Sequence, residues 1–324
     1  MKKKFKAYEV SPLSVEWARN TEYAKWLSGG TIVLAGTDEH EIKTFVHPDY
    51  FACEYRIKLN IFSFGRLKFN IPFTVIAPPV SVDEKGFGGD LNALIKDYKS
   101  RKGLFLILNL RKGETNIRTR AAVGKTLPNC AIENKFESFD DYLNALRSNY
   151  RRRIKIALAK GAGLKVKTIE NADFGEELYS LYLQVLDRSA FPLETLPINF
   201  FQNCGCKIDA FYNGNIPIAF VMSEKYTDNM GFIFGGMDYK SRDKYDLYYN
   251  MLLHVVKAGI ENKVKLISFG QTAEIPKCRI GCNLDERFMI AFSGSGLLTY
   301  ILSVFAPLLQ NNKEINEVRV FKSG

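Results

Sequence analysis

The sequence offers few of the residues and motifs by which catalytic sites are usually recognised. It has only three histidines, and His40, His47 and His254 form no H-x-x-x-H pair of the kind that holds zinc on one helix face. His254 falls inside an apolar helical pattern, where packing is expected rather than catalysis. The chain also lacks a G-x-S-x-G turn, a Walker loop and a G-x-G-x-x-G turn after a strand, so serine hydrolase and common nucleotide-binding chemistry are not indicated.

Cysteine is scarce as well, and its spacing is poor for a metal. Six cysteines in 324 residues do not form a disulfide framework, which favours a cytoplasmic protein. The pairs Cys204-x-Cys206 and Cys278-x-x-x-Cys282 have no histidine close in sequence, and buried core positions explain them better than zinc does. We therefore expect no bound metal.

Acidic residues are outnumbered by basic ones. There are 45 Lys and Arg against 35 Asp and Glu, a formal net charge of +10. This balance indicates an anionic partner, such as nucleic acid, a phosphorylated substrate or an acidic membrane surface, although it can also serve solubility alone. Between residues 142 and 169, eight basic residues occur without an acidic one. Within that run, Arg151, Arg152 and Arg153 are the predicted phosphate contacts.

One long stretch is uncharged but interrupted. Between Phe288 and Asn312, the sequence "SGSG" and Pro307 divide the apolar residues into pieces shorter than the ~20 residues of a membrane-spanning helix. We expect a buried strand, "ERFMIAFS", followed by a helix, "GLLTYILSVFAPLL", that packs in the core or, alternatively, lies on a membrane surface. The basic N-terminus "MKKKFKAYEV" has no apolar core after it and is not expected to be a secretory signal.

The length of the chain and the boundary signals near residue 135 indicate two domains. A chain of 324 residues exceeds the size at which one hydrophobic core usually stops growing. Pro128 lies in an extended segment, and Ser138 begins a helix N-cap signal. The predicted domains are residues 1–135 and 136–324.

Strand and helix patterns alternate in both halves. Apolar residues at steps of three and four predict one long helix from Tyr142 to Gly161 or Gly163. Three strand patterns follow later, "CKIDAFYN", "IPIAFVMSE" and "MGFIFGGMDY", with the turn "NGN" between the first two. A long helix, "DLYYNMLLHVVKAGIEN", and a strand, "KLISFG", come next. This meander among mixed elements predicts the α+β (mixed α/β) class rather than a doubly wound parallel sheet.

Two segments carry a resemblance to a known family. They are "FESFDDYLNALRSNYRRRIKIALAKGAGLKV" and "GFIFGGMDYKSRDKYDLYYNMLLHVVKAGIENKVKLISFGQTAEIPKCRIG". The first resembles the opening of the second domain in FemAB-related, GNAT-like acyltransferases, the superfamily of the peptidoglycan-bridge aminoacyltransferases. The second resembles that family's strand with paired glycines, a helix ending "A--G", a strand closing in "FG" and a downstream Lys---Gly. The matches cover most of residues 136–282, whereas residues 1–135 agree only in layout.

The resemblance implies two tandem GNAT-like domains, each a mixed central sheet flanked by helices, with the main active cleft in the second. The candidate bases are Asp238, first, and Glu224, second, and Tyr239 or Tyr245 is the candidate acid for the leaving group. Lys277 is expected to face the cleft and neutralise an anionic group. The residues implied to bind donor or acceptor are Gly235, Gly236, Lys240, Ser241, Arg242, Tyr245, Gln271, Glu274 and Arg279. A helix start packed on the core is the alternative for the segment around Lys277.

The sequence departs from acetyl-CoA-dependent GNAT proteins at one loop. Their glycine-rich pyrophosphate loop would fall at "YKSRDKYDLY", where there is no glycine. Side chains such as those of Lys240 and Arg242 would have to replace the backbone cradle. This favours an aminoacyl-tRNA or an acyl-carrier-protein donor, although acyl-CoA stays open.

These observations predict a cytoplasmic N-acyltransferase, with possible peripheral contact at the inner membrane surface. It would move an acyl or aminoacyl group from a thioester or ester donor to an amine of a cell-envelope, amino-sugar or lipid precursor. The alternative is a non-catalytic module with the same fold that binds RNA or an anionic membrane.

Overall fold

The chain forms two compact units. The computed structural model describes residues 8–10, 43–62, 67, 69–77, 85–189, 195–226, 228–313, 315 and 318–322. Residues 1–128 and 286–314 form the first unit, and residues 129–285 and 315–324 form the second. This division differs from the expected cut at residue 135, because residues 129–135 belong to the second unit and residues 286–314 belong to the first.

Fifteen strands and nine helices lie within the described residues. The strands are β1 (Tyr8–Val10), β2 (Lys43–His47), β3 (Tyr50–Asn60), β4 (Asn70–Ile76), β5 (Phe87–Gly89), β6 (Leu104–Leu110), β7 (Ala122–Lys125), β8 (Asn129–Glu133), β9 (Lys165–Ile169), β10 (Lys207–Asn213), β11 (Ile216–Tyr226), β12 (Asn229–Met237), β13 (Leu266–Ser268), β14 (Asn283–Asp285) and β15 (Phe288–Ser293). The helices are α1 (Leu91–Tyr98), α2 (Phe139–Ala145), α3 (Ser148–Gly161), α4 (Glu176–Leu186), α5 (Ile198–Asn203), α6 (Arg242–Tyr245), α7 (Leu247–Glu261), α8 (Glu274–Arg279) and α9 (Gly296–Leu309).

The first unit is built on a mixed sheet. Its strand order is β1-β2-β3-β4-β6-β15-β7, with β5 also paired to β3. Strands β4 and β6 are parallel, and the other pairs are antiparallel. Asp90 caps α1 by accepting hydrogen bonds from the backbone N–H groups of Asn92 and Ala93. Leu94 and Ile95 of this helix are buried in the core of the unit.

The second unit carries the predicted meander in a second mixed sheet. Its order is β14-β8-β13-β12-β11-β10-β9. Strands β9 to β12 are antiparallel neighbours, and β10 and β11 are joined by the predicted turn, with Gly214 at a φ of 62°. Strand β13 then joins β12 in parallel after the crossover helix α7. The predicted α+β class is therefore confirmed.

The helix predicted from Tyr142 to Gly161 is in fact two helices. Ser138 caps the first, α2, as predicted, by accepting from the N–H of Asp141. At Leu146 the backbone becomes extended and forms a bridge with Phe321, and the N–H of Arg147 donates to the carbonyl of Val320 at 2.9 Å. The apolar period continues through the break because Leu146 is itself buried. Pairing with a distant segment thus interrupted a helix that local periodicity favoured.

Aromatic packing fixes α4 and α5 on one face of the second sheet. The ring of Phe174 stacks on that of Phe201 at 4.6 Å, and Phe220 of β11 meets Phe174 edge-on at 5.1 Å. Gly236 of β12 allows the backbone of α4 to approach, because a Cβ there would lie 2.6 Å from the Tyr182 nitrogen. This glycine therefore serves helix–sheet packing.

Strand β15 and helix α9 form as predicted, but α9 is not a core helix. Thr299 is buried in it, whereas seven large apolar side chains are exposed. The exposed residues are Leu297, Leu298, Tyr300, Ile301, Val304, Phe305 and Leu308. None of the described helices has the length and apolarity needed to cross a bilayer.

A buried carboxylate connects three elements of the second unit. Asp209 on β10 accepts from His254 Nε2 of α7 at 2.7 Å, from Lys207 Nζ at 2.7 Å and from Thr168 Oγ1 of β9 at 2.6 Å. Burial alone would raise the pKa of this carboxyl, but the three hydrogen bonds lower the pKa well below its ordinary range. His254 is therefore a packing residue of the second unit, as expected, and its hydrogen-bond partner is the charged carboxylate of Asp209.

We expect Asp209→Asn to lower the free energy of unfolding by about 2–3 kcal/mol, since a charged acceptor of several hydrogen bonds is lost from a buried site. The lowered pKa gives the sign of the pH dependence: the stabilisation is present above pH ~4, the ordinary aspartate range, and is lost as the pH falls below it. Urea unfolding at pH 7 and at low pH measures both effects. Asp243→Asn, at an exposed aspartate, is the control, and equal stability of the two variants at pH 7 would contradict this account.

Candidate active site

The two parallel strands of the second sheet separate after three residue pairs. Asn229, Met230 and Gly231 of β12 pair with Leu266, Ile267 and Ser268 of β13. Strand β12 then continues to Met237, while β13 ends at Ser268. Beyond Gly231, β12 has no partner strand on that side within the described part of the chain. The two strands therefore part at their carboxyl ends, where ligands bind in many α/β sheets; we call the space beyond their last pair the opening.

A β-bulge bends β12 at the mouth of this opening. Met222 of β11 pairs with Phe234 of β12, but the next residue, Ser223, pairs with Phe232. Ile233 is thus the extra residue, two positions after the last pair with β13. A bulge increases the local twist and redirects the strand, which explains why β12 and β13 part here.

Tyr248 in the first turn of α7 lies near residues that follow β12 and β13. Burial raises the pKa of its phenol, and Cys130, Cys282, Tyr239 and Glu274 are near enough to add to the rise. Tyr248 thus stays protonated at neutral pH. Sequence reasoning missed this residue, because its position in an apolar helical period made it look like a packing residue.

The loop after β12 is organised by Asp238. Its carboxylate accepts hydrogen bonds from the backbone N–H groups of Lys240 and Ser241, both at 3.1 Å, and from Ser241 Oγ at 2.6 Å. The N–H of Tyr239 donates to Gln184 Oε1 of α4 at 3.3 Å. The Asp238 carboxylate is therefore part of the turn, and its predicted role as first candidate base gains no support from this geometry.

Lys277 occupies a different position from the one expected. It is only 3% exposed, and its ammonium donates to the carbonyl oxygens of Phe269 at 2.6 Å, Gln271 at 2.8 Å and Gly270 at 3.3 Å. The expectation of an exposed ammonium on the rim of the cleft is wrong, because the side chain turns back into α8's own entry loop. It holds the chain that leaves β13.

The other residues of this segment divide by exposure. Glu274 is 5% exposed and lies near Tyr248, whereas Arg279 at the end of α8 is exposed. The ring of Phe269 lies 6.4 Å from that of Phe232 of β12, across the two strands. The structure therefore brings together Tyr239, Tyr248 and Glu274 beside the opening.

Solved structures place this fold among known proteins. No protein-family model and no curated protein matches the sequence. The solved structure of FemX matches 88% of this chain and 96% of its own, with a TM-score of 0.53 and 11% identity. L-PGS from Bacillus licheniformis matches 95% of this chain and 99% of its own, with a TM-score of 0.52 and 12% identity. The protein has the FemX-type fold.

A third structure agrees with these two. The C-terminal DUF2156 domain of a protein assigned as a lysylphosphatidylglycerol synthetase, from Agrobacterium fabrum, matches 89% of this chain and 98% of its own. Its TM-score is 0.52 and its identity 10%. The predicted FemAB-related, GNAT-like resemblance is thus confirmed as a shared fold.

Within this FemX-type fold, Glu224 on β11 lies beside Cys206. Burial raises the pKa of its carboxyl, although a hydrogen bond with Cys206 opposes the rise. Its charge also acts on Cys204. Cys204 and Cys206 are buried beside Asn171, whose Nδ2 donates to the Cys206 carbonyl at 2.9 Å. Among the described residues, no three His, Cys, Asp or Glu side chains come together to hold a metal ion.

The paired glycines of the fold are enclosed by packing. Gly236 lies against α4, as described above, and a Cβ on Gly235 would lie 2.5 Å from Met251 Cε of α7 and 3.0 Å from the Phe220 carbonyl oxygen. Close approach of the two helices accounts for both glycines. A direct contact of either glycine with donor or acceptor stays a prediction.

The basic residues of α3 have two different environments. Arg153 forms a two-pronged ion pair with Asp246, at 2.8 and 3.1 Å, and stacks on the Tyr249 ring at 4.3 Å. Arg152 and Lys155 are exposed, and Arg151 is half-buried. Arg153 is therefore a packing residue, and Arg152 with Lys155 presents the accessible positive charge.

The basic loop before α7 also has internal partners. Arg242 pairs with the neighbouring Asp243 at 2.8 Å, and its guanidinium lies 5.7 Å from the Tyr239 ring. The ammonium of Lys244 lies 4.8 Å from the Tyr245 ring, and Lys240 is exposed. These side chains surround the loop without forming a single cluster.

We expect Lys277→Met to lower the free energy of unfolding by about 2–4 kcal/mol, because three carbonyl groups in a buried turn lose a charged donor. Arg279→Met, which removes an exposed cation from the same helix, should change it by no more than ~0.5 kcal/mol. Chemical denaturation of both variants makes the comparison. A fully stable Lys277→Met protein would show that the ammonium does not hold the turn.

Proposed function

We propose that this protein is an N-acyltransferase that uses the opening between β12 and β13 to bring an activated carbonyl to an amine. The observation that carries the proposal is the parting of the parallel strands at the Ile233 bulge, with Tyr239, Tyr248 and Glu274 beside it. The unpaired edge of β12 can hold an extended donor by backbone hydrogen bonds, as an added strand would be held. The lysylphosphatidylglycerol synthetase domain, by its name, supports a lipid precursor of the cell envelope as acceptor.

The donor we propose is an aminoacyl-tRNA rather than acyl-CoA. Three successive backbone N–H groups, of Tyr239, Lys240 and Ser241, donate to Gln184 and to the Asp238 carboxylate. In a phosphate-binding loop such groups would point at the anion. Here the chain's own carboxylate takes that place, and its negative charge disfavours a pyrophosphate.

The accessible cations of the second unit fit a tRNA. Arg152 and Lys155 lie one helical turn apart on α3, and Lys165 and Lys167 are exposed on the edge strand β9. One-signed charge of this kind contacts phosphates and releases counterions.

The chemistry needs an acid for the leaving oxygen and a base for the amine. The amine nitrogen attacks the ester carbonyl, the bond to the ribose oxygen breaks, and that oxygen takes a proton. Tyr248, kept protonated by burial, is the proposed donor of this proton, and the Glu274 carboxylate the proposed acceptor of the amine's proton. Proton return from Glu274 to Tyr248 would restore the starting state.

The site works within the cytoplasm, where aminoacyl-tRNA is found.

The tRNA proposal predicts a salt-dependent affinity for total aminoacylated tRNA. Changing Arg152 and Lys155 to Gln should reduce the slope of log affinity against log salt by ~1.4–1.8, since each phosphate contact contributes ~0.7–0.9. Lys257→Gln, at an exposed lysine of α7, should leave the slope unchanged. Filter binding across a salt series measures it. Tight binding of acetyl-CoA without binding of tRNA would reject the donor assignment.

The acid role predicts that Tyr248→Phe lowers turnover at least ~10-fold without changing thermal melting, because only a hydroxyl is removed. Tyr249→Phe is the matched control on the neighbouring position, where the ring stacks on Arg153. The assay follows the transfer of a radiolabelled amino acid from total aminoacyl-tRNA to a panel of amine-bearing envelope precursors. Normal turnover by Tyr248→Phe would exclude Tyr248 as the acid.

A further inference from the structure

Helix α9 of the first unit has its polarity inverted. The inward positions include Thr299, which is 2% exposed and exchanges hydrogen bonds with Ser293, and Ser303, whose hydroxyl donates to the Thr299 carbonyl at 2.8 Å. The large apolar residues point outward, and Leu308 is 71% exposed. A surface helix normally buries its apolar stripe and exposes its polar one. The outer face of α9 therefore has the composition of a contact surface.

The outward residues form one continuous face. Leu297, Ile301, Val304 and Leu308 are spaced by three or four positions, and Tyr300 and Phe305 lie beside them. The helix has 14 residues, a length of about 21 Å at ~1.5 Å per residue, against ~30 Å for the hydrocarbon core of a bilayer. Such a helix can lie in the plane of a membrane surface but cannot cross it.

Basic residues lie beside both ends of α9. At its start, Gly294 lies against the backbone of Lys99 and Arg101, and the Arg120 guanidinium lies 5.3 Å from the Tyr300 ring. At its end, Lys125 binds Gln310 through its backbone N–H at 3.0 Å. Residues 98–128 and 286–313 carry ten Lys and Arg residues against two acidic residues, Glu114 and Glu286.

Ion pairs take up part of this charge. Arg101 is paired with Glu54, and Lys125 with Glu286. Lys102 and Arg120 are exposed near the start of the helix. An apolar face with basic residues at its border matches an anionic phospholipid surface in both chemistry and charge.

We propose that the outer face of α9 docks the first unit on an anionic phospholipid bilayer, with the helix lying in the interfacial plane. A second copy of the chain fits less well. A two-fold interface pairs the same patch from each partner and so offers this basic-bordered face no opposite charge. The bilayer supplies opposite charge instead. The proposal is independent of the acyl transfer proposed above, because it concerns the other unit and needs no turnover.

The test is flotation of the full-length protein with vesicles made of equal parts phosphatidylglycerol and phosphatidylcholine. We expect binding that weakens at high salt and on vesicles of phosphatidylcholine alone. Val304→Asp should lower the partition coefficient at least ~10-fold, because a carboxylate would have to enter an anionic interface. Arg120→Gln should weaken binding to the anionic vesicles and leave binding to the neutral ones unchanged.

Val123→Asp is the matched control. Val123 is 37% exposed and Val304 54%, and both belong to the first unit. Side chains alternate along a strand, and Gly124 of β7 faces Gln310 at the end of α9. Val123 therefore faces away from α9. This variant should float like the wild type, and thermal melting should be the same for all. Wild-type protein that stays with the aqueous phase, or Val304→Asp that floats normally, would overturn the proposal. So would a wild-type dimer that Val304→Asp converts to a monomer without any vesicle binding.

Discussion

The buried ammonium of Lys277 is the interaction on which the geometry of the candidate site depends. It gathers three consecutive carbonyl groups directly after β13, so the chain turns away there instead of continuing beside β12. Thr272 and Ala273 in this turn have φ values of 64° and 47°, which non-glycine residues seldom adopt. A concentrated positive charge offsets the cost of that conformation. The bulge at Ile233 bends β12 from the other side, and the opening follows from the two together.

Local signals in the sequence were enough for most elements of the fold. The Ser138 cap, the turn at Gly214 and the break after Ser293 are each decided by residues within a few positions. The division at Leu146 was not predictable, because its cause is a bridge to Phe321, and long-range pairing leaves no trace in the apolar period of the helix. The assignment of residues 286–314 to the first unit was not predictable for the same reason, because β15 pairs with β6 and β7 far away in sequence.

The site was harder to predict than the fold, for reasons that differ by residue. Lys277 was selected by its position after a strand, but the sequence does not show whether a side chain points outward or back into its own turn. Tyr248, the proposed acid, was overlooked because its position in the first turn of an apolar helix has the same spacing as that of a core residue. The same limit applies to the buried pair of Asp209 and His254 outside the site. They come from a strand and a helix well separated in sequence, and their hydrogen bond exists only because α7 packs across the sheet.

Charge in this protein is arranged by what each cation can reach. Arg153 and Lys160 share the carboxylate of Asp246 at the start of α7, while their neighbours Arg152 and Lys155 remain exposed. The same sequence run therefore supplies both packing and accessible charge. Asp238 differs from these cations because its carboxylate accepts the backbone N–H groups of its own loop, the groups that would bind a pyrophosphate in a phosphate-binding loop. In the proposed reaction, the closed loop would leave the exposed cations of α3 and β9 to contact the phosphates of an anionic donor.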